Sequence, residues 1–220
     1  MRTCCLLIKK NMIFLLLIVF IGTTAWATEI DDVRDKAENG DVEAQLELGL
    51  IYVQGKDADQ DFTAAKKWWD RAAEQGNAAA RYYVGLMYAR GDGVTQDMDQ
   101  ARSMWEQSAD MDHVGALFSL GMLYVEGEAV KGDYVEAGQY FIRAAQLGNV
   151  QSQFNVSVLY SQGLGFPQSN EISYAWAKLA ADQGHPNAKE LLTSLEPQMS
   201  EEQMVIAKAE YEKVKMSLTK

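Results

Sequence analysis

Two histidines, two cysteines and 31 carboxylates are the side chains with which this 220-residue sequence could run acid–base, nucleophilic or metal chemistry. Cys4 and Cys5 are adjacent near the N-terminus, and no thiol follows them. His113 and His185 are 72 residues apart. Each falls just after a turn, where a polar side chain opens a helix by satisfying its free N–H groups. Two repeats of separation, at roughly 10 Å per packed helix, keep them from sharing a metal or a proton. The stretch DADQD, Asp57 to Asp61, resembles the start of a calcium loop. Its sixth position is Phe62 rather than glycine and its twelfth is Trp68 rather than glutamate, so it reads as a solvated turn ending in a helix cap. No G-x-S-x-G, phosphate-binding loop or H-E-x-x-H motif occurs. The many carboxylates supply further pairs whose meeting in space the sequence leaves open. On these grounds the chain is read as no enzyme, with no metal and no cofactor.

The elements that would position such groups are helices in a repeat. The stretch LGLIYVQG, Leu48 to Gly55, has apolar Leu48, Ile51 and Tyr52 at helical spacing, and Gly55 where a left-handed cap falls. It returns as YVGLMYARG at 83–91, SLGMLYVEG at 119–127 and NVSVLYSQG at 155–163. Gly49, Gly85, Gly121 and Ser157 follow one another at 36 residues, as do Tyr52, Tyr88, Tyr124 and Tyr160. A fixed period of this length marks a stacked repeat architecture. A second helix follows in each unit. Asp61, Asp97, Asp133 and Ser169 are its expected N-caps. Trp69 with Ala72-Ala73, Trp105 with Ser108-Ala109 and Phe141 with Ala144-Ala145 come next, and in the fourth unit Ala177 with Ala180-Ala181 beside Trp176. These helices end at Gly76, Gly148 and Gly184. Asp112 holds that place in the second unit, where a different turn is expected. A helical glycine costs about 1 kcal/mol against alanine, so Gly49 and its equivalents are expected to admit a close crossing of the partner helix.

The organisation that follows is a partial leading repeat at 28–40, four repeats at 41–76, 77–112, 113–148 and 149–184, and capping helices at 185–220. Ala188 opens a fifth first-helix to about Leu195, Glu196-Pro197 breaks it, and Ser200 with Gln203 starts a last helix with Met204, Val205, Ala207, Ala209 and Tyr211 on its apolar side. No domain boundary is evident from 28 onward.

Residues 1–27 read as a secretory signal peptide. Arg2, Lys9 and Lys10 form a basic region, Met12 to Gly22 an apolar run of eleven, and Ala25-Trp26-Ala27 a cleavage site. The run is short for a membrane-spanning helix of about 20 residues. Cleavage near Ala27 would leave an exported chain, periplasmic or secreted, with no cysteine and no stable membrane insertion. Losing those three cations takes the formal net charge from −11 to −14. Such acidity disfavours nucleic acid and anionic membranes. It suits a basic partner, or simply a well-solvated surface.

The combined pattern AxxxLGxxYxxG, a loop, then DxxxAxxWxxxAAxxGN over roughly 40–184 resembles the Sel1-like repeat family, relatives of the tetratricopeptide repeat. The tail from Tyr174 to Glu210 resembles the ending common in bacterial members. The resemblance implies an all-α, right-handed α/α superhelical solenoid of about four 36-residue helix-turn-helix repeats. It also implies a scaffold or adaptor role in protein complexes, with secreted and envelope members in bacteria. Some secreted relatives staple each repeat with a disulfide. The absence of cysteine after Cys5 sets this chain apart from that subgroup and from its penicillin-binding function.

By similarity to tetratricopeptide folds, first-helix residues line a concave binding face. The candidates are Leu46, Leu50 and Gln54; Tyr82, Leu86 and Arg90; Phe118, Met122 and Glu126; and Phe154, Val158 and Gln162. Tyr82, Phe118 and Phe154 form a stepped aromatic row suited to an extended peptide, though an apolar residue recurring in every repeat serves a core equally well. Trp68 and Trp176 are expected to be partly exposed. The reading is a non-catalytic interaction module, expected to be a monomer, that binds a protein or peptide partner. The alternative is a cell-wall-associated protein binding or hydrolysing peptidoglycan or a related envelope substrate, which needs Trp68, Trp176 or Tyr82 accessible for sugar stacking.

Overall fold

The computed structural model describes residues 30–55, 58–127 and 133–218. The leader read at 1–27, with Cys4, Cys5 and the site at Ala27, lies outside them, as does Asp57 of the acidic turn. Every regular element among the described residues is helical. One compact unit runs to Gln96. It holds α1 over 30–38, α2 (Val42–Gln54), α3 (Phe62–Glu74) and α4 (Ala78–Arg90). The second unit begins at Asp97. It holds α5 (Met98–Ala109), α6 (Val114–Glu126), α7 (Tyr134–Gln146), α8 (Val150–Gln162), α9 (Asn170–Asp182), α10 (Ala188–Leu195), a short 3₁₀ turn (Glu196–Gln198) and α11 (Glu201–Ser217). The division falls inside the second repeat, where no shift of composition marks it.

Local chemistry explains both ends of every first helix. Asp41, Asn77, His113 and Asn149 accept from the N–H groups of Ala44, Ala80, Ala116 and Ser152, which opens α2, α4, α6 and α8. Gly55, Gly91, Gly127 and Gly163 close them with φ between 63° and 77°, a region that strains other residues. Asp61, Asp97, Asp133 and Ser169 cap the second helices as expected. Asp112 does not make a different turn. Its φ is 58°, and His113 N–H donates to the Ser108 carbonyl at 3.2 Å, as Asn77 N–H does to Ala72 at 3.0 Å. A Cβ at Gly76, Gly148 or Gly184 would meet nothing within 4 Å, so the position demands only left-handed backbone, which aspartate tolerates.

The interior glycines are seats for aromatic rings. A Cβ on Gly49 would lie 2.2 Å from Trp69 Nε1, and one on Gly121 2.5 Å from the Phe141 ring. The close crossing is therefore made by the ring of the second helix, which fills the space a side chain would take.

Three expectations are corrected. Trp68 and Trp176 are 8% and 6% exposed, not open to a lateral contact. Trp68 packs with Val33 and Ala37 of α1, and Trp176 belongs to a core flanked by Tyr211 and Val214 of α11 and by Leu218 at its C-cap. The terminal helices cover rings that the repeats alone would leave bare. His185 does not open a helix. Pro186 follows it, α10 begins only at Ala188, and the imidazole is buried against Phe154 at 4.2 Å between centroids. In α11, Met204, Ala207, Tyr211 and Val214, with Leu218 at its C-cap, face inward at steps of three and four residues, while Val205 is 69% exposed and Ala209 is also exposed.

Buried polar groups complete the packing. Gln45 donates to the Ala37 carbonyl at 3.0 Å and accepts from Gln75 at 2.8 Å. Gln153 donates to Ala145 at 3.3 Å and accepts from Gln183 at 2.8 Å. These are equivalent positions of the first and fourth repeats.

Candidate functional site

The twelve first-helix candidates divide by chemistry. Gln54, Arg90, Glu126 and Gln162 end their helices and are exposed. Leu46, Leu50, Tyr82, Leu86, Phe118, Met122, Phe154 and Val158 are half-buried, neither closed core nor open surface. Tyr82 tilts against Tyr83 at 5.5 Å and Phe118 against Phe141 at 5.9 Å, while Phe154 is stacked with His185.

Some of these residues meet in clefts. In the first unit Leu50, Leu86 and Arg90 join Val53, Phe62, Trp69, Tyr83, Met87 and Asp92 around a cleft of ≈ 130 Å³. In the second unit Phe118, Met122 and Glu126 join Met98, Trp105, Ser119 and Leu123 around one of ≈ 220 Å³. The two share a design. Phe62, Trp69, Tyr83, Leu86, Met87 and Arg90 of the first are followed 36 residues later by Met98, Trp105, Ser119, Met122, Leu123 and Glu126 of the second. Leu46, Gln54, Tyr82, Phe154, Val158 and Gln162 line neither cleft.

The sequence reading missed Val53, Tyr83, Met87, Asp92, Ser119 and Leu123, and on the second helices it missed Phe62 with Trp69 and Met98 with Trp105. The signal was present, since each pair recurs at the repeat period. Trp69 and Trp105 are buried, each with an edge on its cleft. Trp69 is held by its own hydrogen bond, Nε1 to the Leu46 carbonyl at 3.1 Å, and Tyr83 stacks on it at 4.8 Å and 20°. Arg90 and Glu126 make no ion pair among the described residues.

Elsewhere the titratable groups serve structure. Burial holds His113 and His185 below the ordinary histidine range. Tyr124 and Tyr140 stack at 5.7 Å, and burial, then neighbouring charges, pushes both phenols up. Among the described residues no group of three or more His, Cys, Asp or Glu is arranged to hold a metal, and no helix is long and apolar enough to cross a membrane.

Comparison with known proteins places this geometry. A family model described as Sel1 repeat matches residues 42–77, 78–113, 114–149 and 150–185. The structure of a protective antigen of uropathogenic Escherichia coli, displaying an SLR fold, is similar with a TM-score of 0.72 and 33% identity, over 75% of this chain and 35% of that one. A Sel1 repeat protein from Oxalobacter formigenes also gives 0.72, with 31% identity over 76% of this chain and 49% of its own. The secretory immunoglobulin A-binding protein EsiB of Escherichia coli is 44% identical over 43 residues, 20% of this chain and 9% of that protein. The chain spans less than half the length of each of these relatives.

Proposed function

We propose, from the premise that this chain belongs to the Sel1 repeat family, that it is a non-catalytic scaffold which binds a protein or peptide on the face built by its first helices. Sel1 repeat proteins are generally protein-interaction scaffolds. The observation that carries the reading is the pair of equivalent clefts, each with apolar walls and a rim residue that changes from Arg90 to Glu126. Apolar walls bind side chains by burial, and a changed rim selects among them. A protein ligand is also what the matched segment's relative is named for. The leader at 1–27 supports export, to the periplasm or beyond.

The burial of Trp68 and Trp176 removes two of the three platforms that a peptidoglycan-binding reading needs. Tyr82 alone keeps a half-exposed ring.

The test is capture from the source cell's envelope fraction with the chain and with its Arg90→Glu, Glu126→Arg variant. A protein retained by the first and lost from the second is the expected result. Equal capture by both, or recovery of glycan fragments only, overturns the reading. Fractionation followed by N-terminal sequencing checks export, with a mature chain starting at Thr28 expected.

A further inference from the structure

We propose that the cleft of the second unit takes an aromatic side chain from a partner segment that carries a lysine or arginine next to it. This rests on the interaction reading above and names the partner's chemistry.

Size argues for the ring. In the first cleft Tyr83 lies on Trp69 at 4.8 Å and occupies part of the space. The second cleft has Ser119 at that position, and its volume is ≈ 220 Å³ against ≈ 130 Å³. A cavity of about 150 Å³ accommodates a benzene-sized guest. The first cleft therefore falls below that size, and the second exceeds it and has room for a ring. Its walls suit one: Met98 and Met122 are adaptable thioethers, and Phe118 offers ring contact.

Charge argues for the neighbour. Glu126 is exposed at the rim of the second cleft, where the first has Arg90. The whole chain carries a formal charge of −11, which draws basic partners and repels acidic ones. A partner's aromatic anchor seated in the cleft would bring an adjacent cation to Glu126. Aromatic and arginine side chains are also the usual anchors of protein interfaces.

The experiment titrates the full chain by calorimetry with three end-blocked peptides, Ser-Lys-Phe-Lys-Ser, Ser-Glu-Phe-Glu-Ser and Ser-Lys-Ala-Lys-Ser. The first is expected to bind at least about tenfold more tightly than either of the others. Ser119→Tyr, which copies Tyr83, is expected to abolish that advantage over the alanine peptide. Glu126→Arg, which copies Arg90, is expected to reverse the preference between the lysine and glutamate peptides. Circular dichroism melts identify a variant that fails to fold, and the other variant then decides. Absence of binding by the first peptide, equal binding of all three, or a preference unchanged by both substitutions overturns the proposal. A captured envelope protein that both variants retain, but Arg90→Glu, Glu126→Arg loses, overturns this chemistry and leaves the scaffold reading standing. Loss of capture by every form, wild type included, overturns both.

Discussion

Trp69 donates its indole N–H to the carbonyl of Leu46 at 3.1 Å, across the face of α2 where Gly49 has no side chain. The same arrangement places Phe141 against Gly121 in the third repeat. Alanine would gain about 1 kcal/mol of helix propensity at either glycine. Its Cβ would fall 2.5 Å from a ring carbon of Phe141, which is 1% exposed and has nowhere to go. Overpacking of this kind costs about 1–3 kcal/mol. Gly121→Val is therefore expected to lower stability strongly. A thermal melt within a degree or two of wild type would refute the ring-seat account. Combining Gly121→Ala with Phe141→Leu should cost less than the two single changes together, and a double-mutant cycle measures that coupling.

The glutamine pairs make a second prediction. Gln153→Leu removes one hydrogen bond to the Ala145 carbonyl and one from the Gln183 amide, leaving the carbonyl with Gly148 N–H and the amide with the Leu179 carbonyl. A hydrogen bond contributes about 0.5–1.5 kcal/mol net, so a loss of that order is expected for each. Leu117 and Leu147 hold the same two positions one repeat earlier. Adding Gln183→Leu is therefore expected to restore much of the loss, read as recovery of the urea midpoint. A double variant no more stable than the single would show that the pairing is not the cause.

Asp112 is the one described non-glycine residue at positive φ. Its carboxylate accepts from Arg143 at 2.8 Å, but both side chains are well exposed, and exposed pairs contribute only about 0–1 kcal/mol. Left-handed backbone costs an L-residue about 1–2 kcal/mol. Asp112→Gly is expected to leave the melting temperature equal or raised, and Asp112→Val to lower it. The reverse order would mean the ion pair outweighs the backbone.

Stability should fall on mild acidification. Burial holds His113 and His185 below the usual histidine value, so the folded chain binds these protons more weakly than the unfolded one. Their contribution is complete above about pH 6.5 and is lost as the pH falls through their folded values. His113 Nδ1 accepts the Ala116 N–H at 3.3 Å, a role that protonation removes. Hydrogen bonds from its own backbone, Gln203 and Ser169 lower Glu171, so its loss comes later, in the carboxylate range. His113→Asn, copying the caps at Asn77 and Asn149, is expected to flatten the dependence as the pH falls below about 6.5. A slope unchanged from wild type would exclude His113 as its source.

Six of the sixteen residues that line the two clefts were legible in the sequence. Leu50, Leu86 and Arg90, and Phe118, Met122 and Glu126, follow from first-helix spacing, and they line the clefts. Trp69 and Trp105 were hidden because period alone cannot tell a ring that fills a core from one that also shows an edge to a cleft. Val205 and Ala209 were misplaced because α11 offers two apolar stripes, and only packing against α9 selects Met204, Ala207 and Tyr211.

The sequence by itself determined the repeat: its 36-residue period, the caps, the αL glycines and the helix boundaries. All of these are short-range, decided by hydrogen bonds and dihedral preferences within a few residues. Only the tertiary structure decided which rings are closed in and which line space. Trp68 and Trp176 are buried by α1 and α11, elements distant in the chain, and the exchange of Tyr83 for Ser119 becomes a difference in cleft volume only when a second helix stands opposite. Burial depends on what packs against a side chain, and that partner is not among its sequence neighbours.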